Sequence, residues 1–288
     1  MKLSILTALF LAPSLLLAQT HIKTDSPAEI RFDSRNRPVI ATQVNQQGPY
    51  YMVVDTAAES SLMMPALAKR LNLQGFDTGL TINGATGSVA AKAFGVDTFS
   101  SELFELSYVG LLALPHSGST EAAGIIGMDL FAHNALVFDL RLGQLHVVPS
   151  GLVKGRYASI DGIDDGSLLV SIMVKINGVA IPALIDTGAA VTIANFAALK
   201  ALGWHSKDSH LVDDGEIRGA TADTQQIKLG IVNTIALGGI TLSDVPLRFT
   251  TENDGQPASL ILGSDILNNL LGFAIDFPKQ QFLIKLPE

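Results

Sequence analysis

The sequence predicts a mostly β protein built from two similar lobes. Two observations support this prediction: the chain contains a long internal repeat, and apolar and polar residues alternate in short segments bounded by turn residues. The composition agrees, because 48% of the 288 residues are hydrophobic and only 16% are charged, which is typical of a folded globular chain. A chain of this length can form two lobes, each with its own core.

The internal repeat is defined by four landmarks that recur in the same order. The stretch "YYMVVDTAAESSLMMPALAKRL" contains Asp55, and "VAIPALIDTGAAVTIANFAALKAL" contains Asp186, 131 residues later. Three more pairs follow the two acids at offsets that differ by only a few residues: Gly84 and Gly219, Gly127 and Gly263, and Asp139 and Asp276. Such an ordered series is improbable by chance, so the chain holds two copies of one unit of roughly 130 residues.

Each unit is predicted to consist of strands with a few short helices. The alternating segments "VIATQV" and "LLVSIMVKI" precede the two acids and predict strands, with "NQQG" and "NG" as turns. The segments "MPALAKRL" and "ANFAALKAL" each predict one short helix. The segments "MDLFAHN" and "SDILNNLL" predict helical turns, which Asp129 and Ser264 are expected to cap.

The chain divides into four predicted parts. Residues 1–18 contain Lys2, an apolar run and then Ala18, a pattern typical of a secretory signal peptide. Residues 19–150 form the N-terminal lobe with the first acid, residues 151–166 form a linker rich in Gly and Asp, and residues 167–288 form the C-terminal lobe with the second acid. An export signal in a chain without cysteine suits a periplasmic or secreted protein of a bacterial cell.

The composition and the missing motifs exclude several classes of protein. Without cysteine there is no disulfide scaffold, thiol nucleophile or Cys-based metal site. A net charge of −8 without a basic run disfavours nucleic acid and anionic lipid, so we expect no membrane partner once the signal peptide is removed. The six histidines are scattered, and neither a His-Glu-x-x-His nor a Gly-x-Ser-x-Gly motif occurs. We therefore expect a monomer with no metal and no cofactor.

Asp55 and Asp186 each follow an apolar strand end, where a carboxylate is poorly solvated. Desolvation raises the pKa of an acid, and a second acid nearby raises one pKa of the pair strongly. A pseudo-twofold arrangement of the two units would bring the two acids together, because equivalent residues meet near a symmetry axis. Two carboxyl groups that share one proton supply a base and an acid at once, which suits hydrolysis of a peptide bond by water.

The segment "LIDTGAAVTIAN" resembles the active-site segment of the aspartic proteases, both retropepsin-like and pepsin-like, and "IIG" and "ILG" resemble that family's second hallmark. The resemblance covers nearly all of the chain after residue 18. It implies the two-lobed aspartic protease fold, with two β-barrel-like lobes and a polypeptide substrate. It also implies site residues: a catalytic dyad of Asp55 and Asp186; supporting loops with Thr56, Ala57, Thr187 and Gly188; and substrate-binding flaps with Gly84, Ala85, Thr86, Gly87, Gly219, Ala220 and Thr221.

The first acid is followed by Thr56 and Ala57, where the family usually has Thr-Gly. Alanine keeps the backbone N–H, but its methyl group crowds a tight loop. Two hypotheses of function follow: an exported aspartic endopeptidase, or a catalytically inactive peptide-binding protein of the same fold. Both acids and both threonines are present, which favours the enzyme, because binding alone does not need a matched pair of poorly solvated carboxylates.

Overall fold

The structure is a computed structural model that describes residues 19–84, 87–113, 121–218, 224–252 and 255–287. The described residues are mostly in strands, with few in helices, and form two barrel-like sheets, which confirms the predicted fold class. In the first half the elements are β1 (Gln19–Ile22), β2 (Ala28–Glu29), β3 (Arg31–Phe32), β4 (Pro38–Val44), β5 (Gln47–Val54), β6 (Leu62–Met63), α1 (Pro65–Arg70), β7 (Gly75–Gly84), β8 (Gly87–Ser100), β9 (Phe104–Ala113), β10 (Gly124–Ile126), a 3-10 turn (Met128–Leu130), β11 (Asn134–Asp139) and β12 (Gln144–Pro149).

The second half repeats much of this order. Its elements are β13 (Tyr157–Asp161), β14 (Ser171–Ile176), β15 (Val179–Ile185), β16 (Ile193–Ala194), α2 (Phe196–Ala201), β17 (Val212–Arg218), β18 (Thr224–Leu237), β19 (Ile240–Thr250), β20 (Leu260–Leu262), α3 (Ser264–Leu267), β21 (Phe273–Asp276) and β22 (Gln281–Lys285).

Each half forms its own curved sheet with equivalent strand neighbours. The first sheet runs β1-β9-β6-β10-β5-β4-β8-β7, with β3 on β4, and a further β8–β9 pairing curls it towards closure. The second sheet runs β14-β15-β20-β16-β19-β18-β17, with a further β14–β18 pairing. In both sheets the strand before the acid pairs in parallel with a three-residue strand, β10 beside β5 and β20 beside β15. The sequence repeat is therefore also a repeat of strand topology.

A six-stranded sheet in the order β13-β22-β21-β11-β12-β2 joins the two halves. Strand β11 from the first half pairs with β21 from the second, and in that register Phe138 lies opposite Phe273. Their rings stack with centroids 4.5 Å apart, and both side chains are buried. The segment predicted as a linker contributes β13 to this sheet, so part of it is a paired strand and not an irregular connection.

Apolar alternation builds the core in the way that a half-buried sheet requires. In β14, Ile172, Val174 and Ile176 are fully buried while the residues between them face outward. The two predicted helices are short, as expected, and each buries only two residues against its sheet. The sheets therefore supply a rigid frame, and the loops at their strand ends carry the candidate site.

Candidate active site

Asp55 and Asp186 follow the ends of β5 and β15, the equivalent strands of the two sheets. The residues just before them, Val54 and Ile185, are fully buried, so both acids emerge directly from the core. The backbone N–H of Asp55 donates to the carbonyl of Ile126, and that of Asp186 donates to Leu262, each at 3.0 Å. Neighbouring strands therefore hold the two acids in equivalent positions.

The glycines of the "IIG" and "ILG" segments lie where the loops that carry the acids pass very close. A Cβ on Gly127 would stand 2.6 Å from the carbonyl oxygen of Ser60, and one on Gly263 would stand 2.6 Å from the carbonyl carbon of Val191. Real Cβ atoms essentially never approach other atoms that closely. Glycine is therefore required at both positions by the close approach of two backbone segments.

The threonines that follow the acids join the two halves through reciprocal hydrogen bonds. The N–H of Thr56 donates to Oγ1 of Thr187 and the N–H of Thr187 donates to Oγ1 of Thr56, both at 3.1 Å. Each hydroxyl then donates to a backbone carbonyl of the opposite half, Thr56 to Ile185 and Thr187 to Val54. Both side chains are only 1% exposed, so this polar junction is sealed from water.

The two carboxyl groups lie close enough at this junction for the negative charge of Asp55 to act on Asp186. Oδ1 of Asp55 accepts from the N–H of Ala57 at 2.9 Å, and Oδ1 of Asp186 accepts from the N–H of Ala189 at 2.8 Å. Burial raises the pKa of Asp55, although the Ala57 N–H and the positive charge of Arg37 oppose the rise. Burial and the negative charge of Asp55 together hold the pKa of Asp186 well above its usual range. The arrangement can therefore present one ionised and one protonated carboxyl group.

The two loops differ at the residue that follows the threonine. A Cβ on Gly188 would stand 2.7 Å from Oδ1 of Asp55 and nearer still to its Cγ and Oδ2. In the other loop, Ala57 carries a methyl group and its N–H still donates to Asp55. The first loop thus accommodates the methyl group of Ala57, while the second loop has no room for a methyl group at Gly188.

A second pair of acids supports the two loops from behind. Ser61 Oγ donates to Oδ1 of Asp129 at 2.9 Å, and Thr192 Oγ1 donates to Oδ1 of Asp265 at 2.6 Å. The same two hydroxyl oxygens accept the N–H groups of the two required glycines. Burial raises the pKa of Asp129, against the hydrogen bond from Ser61.

These contacts correct the predicted caps. The residues at the N-cap positions are Gly127 and Gly263, not Asp129 and Ser264, and neither turn has a side-chain cap. Asp129 instead accepts from Ser61, and the Ser264 hydroxyl donates to the carbonyl of Thr187 at 2.9 Å. Glycine occupies the cap position because the backbones pass so close there, and the side chains of Asp129 and Ser264 instead bond the loops that follow the two acids.

An ion pair near Asp55 was absent from the sequence predictions. Arg37 donates through Nη2 and Nε to Oδ2 of Asp33 at 2.6 and 2.9 Å, and Nη1 lies 3.4 Å from the carbonyl oxygen of Gly188 in the other half. Burial alone would raise the pKa of Asp33, but its hydrogen bonds with Arg37 outweigh burial and lower that pKa. The same loop accepts a hydrogen bond from Asn268 at the carbonyl of Asn36, at 2.7 Å. The loop of residues 33–37 therefore contacts the second half at two points, Gly188 and Asn268.

The predicted flap residues are described only in part. Gly84 and Gly87 pair with each other at the turn between β7 and β8. Ala85, Thr86, Gly219, Ala220 and Thr221 lie outside the described residues. In the second half, β17 and β18 are paired as far as Arg218, which lies opposite Thr224. A cavity of about 170 Å³ lies between this hairpin and strands β16 and β20, with Ile193, Ile217 and Ile261 among its lining residues.

Other kinds of site find little support in the described part of the chain. No group of three or more His, Asp or Glu side chains there is arranged to hold a metal ion. His205 is exposed, and His210 packs edge-on against Trp204 with ring centroids 4.5 Å apart. Among the described residues, no helix has the length and apolar character to span a membrane.

Comparison with known families assigns both halves to the same class. Residues 40–130 match the model of an aspartyl protease family, and residues 172–269 match that of the gag-polyprotein aspartyl proteases. No curated protein gives a significant match to the chain. Each match includes one of the two acids with its apolar-Gly segment, and both families are peptidases that act on polypeptides. The chain therefore belongs to the retropepsin-like aspartic protease superfamily.

Proposed function

We propose that the protein is an exported aspartic endopeptidase in which a water molecule held between Asp55 and Asp186 attacks the peptide bond. The observation that carries this proposal is the pair of adjacent, partly buried carboxyl groups, held at the junction where Thr56 and Thr187 join the halves. A pair of this kind holds one proton over a wide range of pH, because two adjacent carboxylates repel each other.

The two acids take different roles in this proposal. Asp55 receives a hydrogen bond from Ala57 and faces the charge of Arg37, and both stabilise its ionised form, so it acts as the base. Asp186 carries the proton, because two adjacent carboxyl groups cannot both ionise and the positive charge of Arg37 favours the negative charge on Asp55. Asp55 takes a proton from water as the oxygen attacks the carbonyl carbon, while Asp186 gives its proton to the carbonyl oxygen. When the carbon–nitrogen bond breaks, Asp55 passes its proton to the leaving amine and Asp186 recovers one from the collapsing diol.

An extended polypeptide suits the surfaces around the dyad better than a small molecule. The β7–β8 and β17–β18 hairpins offer backbone groups for pairing with an extended chain. The cavity below the second hairpin is lined by Ile193, Ile217 and Ile261 and also by polar residues, and its volume of about 170 Å³ fits one side chain of medium size. We therefore propose cleavage within chains, with a side chain of medium size bound in this cavity.

Export is proposed from the sequence of residues 1–18. The apolar run and the following Ala18 are typical of a signal peptide. The test is mass spectrometry of the protein recovered from the medium or periplasm of a bacterial host. A mature chain that begins at Gln19 supports the proposal, and a full-length chain kept in the cytoplasm contradicts it.

The central test is an assay of residues 19–288 against a mixed peptide library from acidic to neutral pH, repeated with Asp186→Asn. This substitution should abolish cleavage, whereas Asp244→Asn, at an exposed acid of the same half, should leave it unchanged. Activity that survives Asp186→Asn would overturn the dyad assignment. A folded parent protein that cleaves nothing at any pH would contradict the enzyme proposal and favour an inactive peptide-binding protein.

A further inference from the structure

Arg248 links the β17–β18 hairpin to the loop of Asp186. It lies on β19, where the backbone register places it beside Ile193 of β16. Its Nε donates to Oδ2 of Asp214, on β17, at 2.7 Å, and its Nη1 lies 3.9 Å from Oδ2 of Asp265. The three side chains are 25–30% exposed, so solvent only partly screens their charges.

The other oxygen of Asp265 continues the link to the catalytic loop. Its Oδ1 accepts from the N–H of Thr192 at 2.8 Å and from Oγ1 of the same residue at 2.6 Å. Thr192 lies six residues after Asp186, and its hydroxyl oxygen also accepts the N–H of Gly263 at 3.0 Å. A continuous polar chain thus runs from a strand of the hairpin to the loop that carries Asp186.

Because Asp214 lies on β17, this series of polar contacts anchors the hairpin locally. The pairing of β17 with β18 is interrupted by a bulge between Asp213 and Glu216, and Gly215 within it has a φ of +80°. A bulge weakens strand pairing and allows bending, so the hairpin is free to pivot there unless another contact holds it. The Arg248–Asp214 ion pair is a contact at that point.

Among its described residues, the first half has no equivalent of this series of polar contacts. Leu112 lies beside Leu62 as Arg248 lies beside Ile193, so an apolar residue replaces the cation. Asp129, the counterpart of Asp265, bonds Ser61 and forms no ion pair with any described residue. The anchor is therefore a feature of one half, added to a frame that both halves share.

We propose that Arg248 is a positioning residue that fixes the β17–β18 hairpin relative to the Asp186 loop. This inference rests on the proposed function, because it assigns the hairpin to substrate binding. Removal of Arg248 should loosen the hairpin and weaken substrate binding more than it slows the chemical step. Arg248→Met should raise KM about fivefold, as expected for loss of one partly exposed ion pair, with a smaller change in kcat.

Amide hydrogen exchange tests the anchor without substrate, so the result does not depend on catalytic activity. In Arg248→Met, the amides of residues 212–218 and 187–195 should exchange faster, while those of β5 in the other half should be unchanged. Lys228→Met is the matched control, because Lys228 pairs with the exposed Asp213 on the same hairpin at 3.2 Å but has no described contact with Asp265. Lys228→Met should leave amide exchange in residues 212–218 and 187–195 the same as in the parent.

Two more variants keep the test decisive. Arg248→Lys keeps a cation, so its amide exchange in residues 212–218 and its KM should lie between those of Arg248→Met and the parent. Asp214→Asn breaks the same ion pair from the hairpin side, at a partly exposed position, and serves if Arg248→Met does not fold. The proposal would be overturned if the amides of residues 212–218 exchange at the same rate in Asp214→Asn, in Arg248→Met and in the Lys228→Met control. If the parent lacks peptidase activity but Arg248→Met exchanges faster than that parent, the anchor is supported and only the proposed function is refuted.

Discussion

Gly188→Ala, compared with Ala57→Gly, tests how closely the geometry of the dyad depends on the residue after each threonine. A Cβ at Gly188 would lie 2.7 Å from Oδ1 of Asp55 and nearer still to Cγ and Oδ2, where 3.0 Å is the limit for real Cβ contacts. The clash involves all the terminal atoms of Asp55, so the carboxyl group must move by about 1 Å to restore normal contacts. A displacement of about 1 Å in a catalytic group costs on the order of 100-fold in rate.

The assay is kcat/KM for cleavage of one peptide substrate, with thermal unfolding as the control for folding. Gly188→Ala should lower kcat/KM by about 100-fold while the protein stays folded. Ala57→Gly should change kcat/KM little and should destabilise the fold by about 0.5–1 kcal/mol, because glycine is more flexible in the unfolded chain. A Gly188→Ala protein with parental kcat/KM would show that Asp55 does not occupy this position during catalysis.

Two further substitutions probe the junction and its charge. Thr187→Val leaves the N–H of Thr56 and the carbonyl of Val54 without their hydrogen-bond partner in a site sealed from water. The free energy of unfolding, measured by urea denaturation, should fall by about 1–3 kcal/mol. Unchanged stability would mean that water enters the junction. Arg37→Gln removes a positive charge that opposes the burial-raised pKa of Asp55, so that pKa should rise further. The acidic limb of the kcat/KM profile should therefore move to higher pH, while Arg37→Lys should keep the parental profile. A uniform loss of activity at all pH values would indicate a purely structural role.

The sequence repeat predicted the parts of the site that both halves share. Asp55 and Asp186 were recognisable because an acid at the end of a buried strand is unusual, and a matched second copy removes coincidence. Ser61 and Thr192 could have been found in the same way, since each lies six residues after its acid. Each half places such a hydroxyl within hydrogen-bonding distance of a supporting acid.

The contacts that only one half possesses could not be predicted in this way. Arg37 aligns with Leu168 when the two acids are superposed in the sequence, and Arg248 aligns with Leu112 in the strand pairing. A repeat search treats such positions as mismatches. Their partners lie far away in the chain, as with the 151 residues between Arg37 and Gly188, and only the folded sheets bring them together.

These one-sided contacts explain how a nearly symmetric frame can hold two unequal acids. In a pair of identical subunits, each carboxyl group has the same surroundings, so the shared proton has no preferred site before substrate binds. Here Arg37 acts on Asp55, the space next to Asp55 admits only Gly188, and Arg248 anchors the hairpin next to the other acid. Because each difference lies in one half only, joining both halves in one chain makes the two acids unequal before substrate binds, as the proposed mechanism requires. Burial raises the pKa of both acids and backbone N–H groups oppose that rise at both, so the positive charge of Arg37 near Asp55 is what makes the two unequal.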